Sequence, residues 1–255
     1  MTVSVTVDTT PNENALKFSV NKKILDSGYK TFNNVEEAKD SPVAKKIFEN
    51  TEVASVFLMV EGEAGFISVT KKPEASWSEL KDKIIVVTGA ANGIGRAMAI
   101  RFAHENARSV ICADLDERGA QKTAEQIGGI AKKIDVSDPK AFAALIEEIE
   151  SDIGPIGLFC SNAGISFAGG VEVTDDEWQQ IWDINVMSHV WAARYLVPRM
   201  TARGGGYLLN TSSAAGLLNQ IGSAPYGVTK HAAVGMAEWI AMSYGDQGIK
   251  VSLLC

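Results

Sequence analysis

The sequence predicts an α/β chain, a doubly wound parallel sheet preceded by a small α+β segment. Three observations predict it. Beyond residue 80, aliphatic strand-like runs alternate with amphipathic helical stretches, a rhythm that requires a parallel sheet with helices on both faces. The first of these strands, Ile84-Ile-Val-Val-Thr88, runs directly into a turn carrying Gly89, Gly93 and Gly95, and the turn opens a helix. Before residue 80 the pattern is different: alternating strands, turn residues and one short helix, as in an antiparallel α+β unit. The expected division is therefore residues 1–80 and 81–255.

Each element follows from local chemistry. Strands are expected at 2–7 and 15–20, separated by the Pro-Asn-Glu-Asn turn at 11–14. Ser41 as N-cap and Pro42 at the first helical position start a helix over 41–50. Strands at 53–60 and 65–70 follow, with 59–64 read as an extended hairpin loop. The connection 71–83 carries one proline and no long Ser/Gly run, so the two segments are joined closely. The alternating half then reads as strand 84–88, helix 94–106, strand 109–113, helix 118–127, strand 130–134 and helix 138–151. Strand 156–161, one long helical region 175–202, strand 206–211, helix 224–245 and strand 249–254 complete it.

Composition narrows the partners. The 255 residues are 46% hydrophobic with a net charge of −7, and no Lys/Arg run or basic helix face occurs. Nucleic acid and anionic membrane are therefore not expected partners. No apolar stretch reaches spanning length and the first residues lack the regions of a signal peptide, so a cytoplasmic location is expected. Cys112, Cys160 and Cys255 lie far apart in aliphatic runs, without a Cys-x-x-Cys pair. They are expected to be core fillers in a reducing compartment, with no metal site.

The glycine turn is the first chemical signal. A helix N-terminus has unpaired N–H groups and the positive end of the helix dipole, which together favour an anion. Gly89, Gly93 and Gly95 are expected to remove side chains that would keep a pyrophosphate away, with Asn92 and Ile94 between them. Asp114 ends the next strand, where a carboxylate can accept both ribose hydroxyls and repel a 2′-phosphate. With no Arg or Lys in the turn, NAD is favoured over NADP; the competing reading is an exposed loop acid in Asp114-Leu115-Asp-Glu. Asp135-Val136 and Asn162-Ala163-Gly164 follow the next two strands of this half, where small and polar residues line a ligand crevice. Taken singly, each reads equally as a turn.

A second cluster carries reaction chemistry. Tyr226 and Lys230 stand four apart near a helix start, hence on one face. An unperturbed tyrosine titrates near pH 10, too high for a base at neutral pH, and a nearby ammonium would favour its phenolate. The competing reading is an amphipathic pair with the lysine snorkelling to water. Ser213, just past the strand ending in Asn210-Thr-Ser, could hydrogen-bond a substrate oxygen, or could simply belong to a polar loop. Asn185 is a poor helix former inside a helical stretch; it could hold a water between the lysine and solvent, or be an ordinary surface residue. Leu217, Leu218 and Ile221 read as interior positions, either an apolar substrate wall or a loop anchor.

Two resemblances follow from these residues. Thr88-Gly-Ala-Ala-Asn-Gly-Ile-Gly95, Asp114, Asp135, Asn162-Ala-Gly164, Asn185, Ser213 and Tyr226-x-x-x-Lys230 resemble, in order and spacing, the short-chain dehydrogenase/reductase family over about residues 80–255. The resemblance implies a Rossmann-type fold and hydride transfer between a nicotinamide and a secondary alcohol or ketone. It implies Tyr226 as acid/base, Lys230 lowering its pKa and holding the ribose, Ser213 positioning substrate, and Asn185 supporting a proton relay. Ser161 departs from the family's commoner Asn. The family continues past the final strand with a Pro-Gly turn, a threonine and a substrate-covering helix pair that also builds tetramers. These lie outside residues 1–255, so the expected substrate is unnamed and a homo-oligomer is left open.

Residues 3–81 resemble the N-terminal domain of the Nfu/NifU-like iron–sulfur scaffold family. Thr10-Pro-Asn-Glu-Asn-Ala-Leu-Lys-Phe, Ser41-Pro-Val-Ala, Val53-Ala-Ser-Val-Phe, Phe66-Ile-Ser-Val-Thr-Lys and Trp77-Ser-Glu-Leu-Lys carry the resemblance. That family's Cys-x-x-Cys ligand domain has no counterpart here. The resemblance therefore implies a docking role, with a protein partner through residues 1–80. A non-catalytic adaptor or accessory protein in iron–sulfur cluster assembly, or an inactive truncated fusion, is the alternative function.

Overall fold

A computed structural model describes residues 4–12, 14–73, 80 and 82–255. The expected strand at 2–7 begins outside this range, as does most of the Trp77-Ser-Glu-Leu-Lys motif. The chain separates into two compact units, residues 1–79 and 80–255.

The first unit is a five-stranded antiparallel sheet. Its strands are β1 (Val5–Thr9), β2 (Ala15–Val20), β3 (Tyr29–Phe32), β4 (Val53–Glu61) and β5 (Ala64–Lys71), ordered β1-β2-β5-β4-β3. Helix α1 (Pro42–Ile47) starts as its capping signals require, with the Ser41 hydroxyl accepting from the Ala44 N–H. Phe32, Ala38, Ala44, Val56 and Leu58 form its small core. The hairpin at 59–64 is tighter than expected. Strand pairing continues to Glu61 and Ala64, leaving a two-residue turn in which Gly62 takes the left-handed φ of +62°. Strand β3 was not anticipated; four residues behind a Ser-Gly turn are too short a window for a periodic signal.

The second unit is a six-stranded parallel sheet. It comprises β6 (Ile84–Thr88), β7 (Ser109–Asp114), β8 (Ile130–Lys133), β9 (Ile156–Ser161), β10 (Gly206–Thr211) and β11 (Ile249–Leu254). The order β11-β10-β9-β6-β7-β8 shows the doubly wound plan. The chain steps outward from β6 to β8 and then returns to place β9 beside β6. The crevice outside the carboxyl ends of β6 and β9 is therefore the topological switch point, where such sheets bind ligands.

Both sheet faces are covered. Ile84 and Val86 join one core with Phe142, Phe159, Leu196 and Met200, while Ile85 and Val87 join the opposite core with Val110, Cys112, Leu158 and Cys160. A strand buried on both sides must be apolar throughout, which is why residues 84–87 do not alternate. The covering helices are α2 (Gly93–His104), α3 (Glu117–Ile127), α4 (Pro139–Asp152), α5 (Asp175–Trp182), α6 (Ser188–Ala202), α7 (Ala215–Leu218) and α8 (Ala224–Tyr244). Their caps are local: Asp116 and Asp138 cap α3 and α4, and Thr174 with Glu177 forms a capping box on α5.

Two expectations are corrected here. The region 175–202 is not one α-helix, because a π-helical turn at Asp183–Met187 separates α5 from α6. Cys112 and Cys160 are buried as expected, but Cys255 is exposed and fills no core. Burial pushes the Cys112 thiol up to about 11, so it is an inert filler.

Candidate active site

A cleft of about 950 Å³ runs along the carboxyl ends of the second sheet, and three strand ends build its floor. Thr88, at the end of β6, donates from Oγ1 to the Cys160 carbonyl at 3.2 Å. The same oxygen accepts from the N–H groups of Asn162 (3.0 Å) and Ala163 (3.1 Å). Asn162 in turn donates from Nδ2 to the Thr88 carbonyl (3.0 Å) and accepts from Thr211 Oγ1 at 3.1 Å. β6, β9 and β10 are thus locked where the cleft opens. Thr211 was not singled out from the sequence, although a hydroxyl at the carboxyl end of a parallel strand was the available signal.

The glycine turn forms one end of the lining, but its glycines have different jobs. A Cβ on Gly95 would lie 2.1 Å from the Gly89 carbonyl oxygen, and one on Gly89 would press on Asn162 and Ala163. Those two glycines let the turn pack against itself and β9; they do not clear room for a ligand, which corrects the sequence expectation. Gly93 is the one that faces open space, and it takes a φ of +53° at the first position of α2. The N–H groups of this twelve-residue helix are therefore presented without a side chain in front of them. Asn92 occupies the N-cap without a side-chain capping bond, and Ile94 is exposed on the lining.

Asp114 braces the turn. Its Oδ2 accepts from the Ala91 N–H and its Oδ1 from the Asp116 N–H, both at 2.9 Å. A carboxylate has about four lone-pair positions, so acceptor capacity remains towards the cleft. The loop-acid reading therefore does not hold, because this carboxylate is structurally engaged. Leu115 is exposed beside it, Val136 is buried, and Asp135 caps its own turn by accepting from Ser137. Asn162, Ala163 and Gly164 complete this part of the lining. The backbone cradle, the open Gly93 face and the carboxylate at the β7 end together fit a dinucleotide.

The other cluster lies along the same cleft. Ser213, Tyr226 and Lys230 all line it. Lys230 is only 3% exposed, so it does not snorkel. Its Nζ donates to the Thr211 carbonyl at 3.0 Å and lies 5.6 Å from the centre of the Tyr226 ring. Burial lowers the lysine pKa from 10.5 to about 8. Ser213 Oγ accepts from the Ala215 N–H at 3.1 Å, which leaves its hydroxyl proton to donate.

Asn185 does not line the cleft but sits behind it, fully buried in the π-helical turn. Its Nδ2 donates to the Ile165 carbonyl (2.9 Å) and to Thr229 Oγ1 (3.2 Å), while its Oδ1 accepts from the Ile165 N–H (2.9 Å). The surface-residue reading is overturned. A π turn inserts a residue and re-aims the side chain, a device frequent at functional sites. The Asn185 oxygen and the Lys230 ammonium both face Gly164, whose Cβ would lie 3.2 and 3.5 Å from them. Leu217, Leu218 and Ile221 are exposed at 61, 83 and 101%, so they are not interior and anchor nothing.

A doubly wound sheet, a glycine-rich turn opening a helix at its switch point, and Tyr226 with a buried Lys230 on the same cleft define the class of dinucleotide-type α/β domains. The short chain dehydrogenase family model matches residues 83–255, and the chain belongs to that family. A 3beta-hydroxysteroid dehydrogenase of Mediterraneibacter gnavus is 39% identical over 68% of this chain and 65% of its own length. A meso-2,3-butanediol dehydrogenase of Serratia marcescens is 32% identical over 68% of this chain and 70% of its own. The structure of a protein assigned to the short-chain dehydrogenases, from Novosphingobium aromaticivorans, superposes with a TM-score of 0.66. It is 28% identical, with 70% of this chain and 69% of that chain covered. The chain thus spans about two thirds of the length of these relatives. The model for the N-terminal part of scaffold protein Nfu/NifU matches residues 5–90. Its last residues overlap β6, which belongs to the parallel sheet. Among the described residues, no helix is long and apolar enough to cross a membrane.

Proposed function

We propose that this chain is the cofactor-binding and proton-transfer part of an NAD-dependent oxidoreductase, acting on a secondary alcohol or its ketone. The observation that carries the reading is the shared cleft: an anion cradle, Tyr226 and the buried Lys230 line one continuous cavity. Oxidising a secondary alcohol removes a hydride from carbon and a proton from oxygen. A bound nicotinamide supplies the hydride acceptor. Tyr226 Oη takes the proton, with the Lys230 ammonium 5.6 Å from the centre of its ring. Ser213 donates its hydroxyl proton to the substrate oxygen and holds that atom towards Tyr226. Asn185 keeps the Ile165 backbone and α8 in register behind the lysine, and supports the relay to solvent.

Two observations favour NAD over NADP. Asp114 ends β7 with a carboxylate, and a carboxylate at that strand end accepts ribose hydroxyls and repels a 2′-phosphate. The nearest arginine on α2, Arg96, is directed at Gln126 on α3 with a 2.9 Å hydrogen bond. The alcohol dehydrogenases among the relatives support a small secondary alcohol as substrate class. For residues 1–80, the scaffold-family match supports docking to a protein partner.

Tyr226→Phe tests the mechanism. Turnover of a secondary alcohol is expected to fall about 10²–10⁴-fold, the usual contribution of general acid–base catalysis. NADH affinity, measured by nicotinamide fluorescence, is expected to stay unchanged. Wild-type turnover in the variant would refute the role given to Tyr226.

A further inference from the structure

The serine at the N-cap of α8 does not cap its helix. An N-cap hydroxyl ordinarily accepts from an N–H of the first turn, yet Ser223 makes no such bond. It is buried and turned the other way, towards the segment that follows β9. Its Oγ donates to the Phe167 carbonyl and lies 3.2 Å from Ser166 Oγ. The backbone takes the same course: Gly169 N–H donates to the Gly222 carbonyl and Ala224 N–H to the Gly169 carbonyl, both at 2.9 Å. On the other side of Ser166, both backbone groups of Ile165 are held by Asn185. Ser166 is thus gripped from two directions, while the residue itself is exposed on the lining of the cleft.

Counting protons gives the bond between the two hydroxyls a direction. A hydroxyl has one proton and two lone pairs, whereas a carbonyl can only accept. Ser223 spends its proton on the Phe167 carbonyl, so Ser166 is the donor in the Ser166–Ser223 bond. Ser166 then has no proton left for the cleft, but its oxygen keeps acceptor capacity there. Ser213 is set in the opposite sense: it accepts from the Ala215 N–H and keeps its proton to give. The cleft therefore carries a hydroxyl donor at Ser213 and a hydroxyl acceptor at Ser166. The acceptor is tied to the head of α8, where Tyr226 stands one turn beyond Ser223. The reacting oxygen cannot satisfy Ser166, because its proton passes to Tyr226 and the ketone has none. A ligand that matches Ser166 must bring a further O–H.

We propose that Ser166 is a specificity-determining residue: it accepts a hydrogen bond from a second hydroxyl on the substrate, so the favoured substrates are diols and the hydroxy ketones they become. The chemistry at the first oxygen rests on the oxidoreductase reading above; the acceptor itself needs no cofactor. The test titrates the full chain, free of cofactor, by saturation-transfer NMR of the ligand. The probes are hexanediols with the second hydroxyl one, two or three carbons from the first, and the same compounds methylated on one oxygen. The methyl ether keeps the oxygen and loses the proton. At the matching spacing the diol is expected to bind about three- to tenfold more tightly than its ether, the net worth of one hydrogen bond. In Ser166→Ala this preference is expected to vanish. A merely structural role for Ser166 would weaken diol and ether alike and leave their ratio standing. Equal or absent binding of diol and ether at every spacing, or a wild-type ratio in Ser166→Ala, overturns the proposal. NADH added to the wild-type sample separates the two claims. A chain that prefers diols but leaves NADH fluorescence unchanged counts against the oxidoreductase reading. One that binds NADH and treats diol and ether alike counts against the role of Ser166.

Discussion

The glycine turn at residues 88–95 and the Tyr226–Lys230 station line one cleft, yet they are built from different materials. The turn works through backbone: N–H groups at the head of α2, a left-handed glycine with nothing in front of it, and Asp114 holding the Ala91 N–H. The station works through side chains whose properties come from burial. Lys230 is forced towards neutrality by the protein around it, and Asn185 is aimed by a π turn. A backbone site fails when a side chain intrudes. A side-chain site fails when a functional atom is removed or its surroundings change. The two halves should therefore respond to different perturbations.

The largest of these effects, after Tyr226→Phe, concerns Lys230 and pH. Its pKa is 10.5 when exposed and about 8 here. Between those values the unfolded chain binds more protons than the folded one, so stability rises with pH across that window and is lost as pH falls through 8. The rise attributable to this group is about 3 kcal/mol for a shift of this size. Urea unfolding at pH 7.5 and 10 should show it in the wild type and lose it in Lys230→Met. Equal slopes in the two proteins would mean that the lysine is not desolvated.

The next effect divides the glycines. Gly95→Ala places a methyl group on the Gly89 carbonyl and should cost up to about 3 kcal/mol of stability, the upper end for overpacking. Gly93→Ala meets no atom and carries only the left-handed φ, worth roughly 1–2 kcal/mol. NADH affinity should nevertheless fall in Gly93→Ala, because its methyl group stands on the open face. Unfolding curves and NADH titrations of both variants check the ordering; a stable Gly95→Ala protein would break it. The smallest effect is Asp114→Asn. The amide oxygen can keep the Ala91 contact, but the preference for NADH over NADPH should drop roughly tenfold, as expected for losing a charged hydrogen bond. An unchanged ratio would remove Asp114 from cofactor selection.

What could be read from the sequence follows the same division. Strands 84–88, 156–161 and 206–211 were legible to the residue, because their apolar runs end on small polar residues. The order of motifs at successive strand ends led to the cleft, since the periodicity of a parallel sheet places those ends together. Burial was not legible. The competing readings, Lys230 snorkelling to water and Asn185 on the surface, fall only once the helices pack over them. The π turn is invisible because residues 183–187 continue the apolar rhythm of the flanking helices. Leu217, Leu218 and Ile221 mislead in the opposite direction: they are apolar, and exposed. Hydrophobicity identifies what can be buried, and topology determines what is.

The central claim is that the cleft binds a reduced nicotinamide dinucleotide through the turn at Gly93 and the Asp114 carboxylate. Titrating the full chain with NADH, and with NADPH in parallel, measures this through the nicotinamide fluorescence. The account predicts saturable NADH binding that is tighter than NADPH binding and is weakened by Gly93→Ala. A folded chain that leaves NADH fluorescence unchanged at every concentration would contradict it.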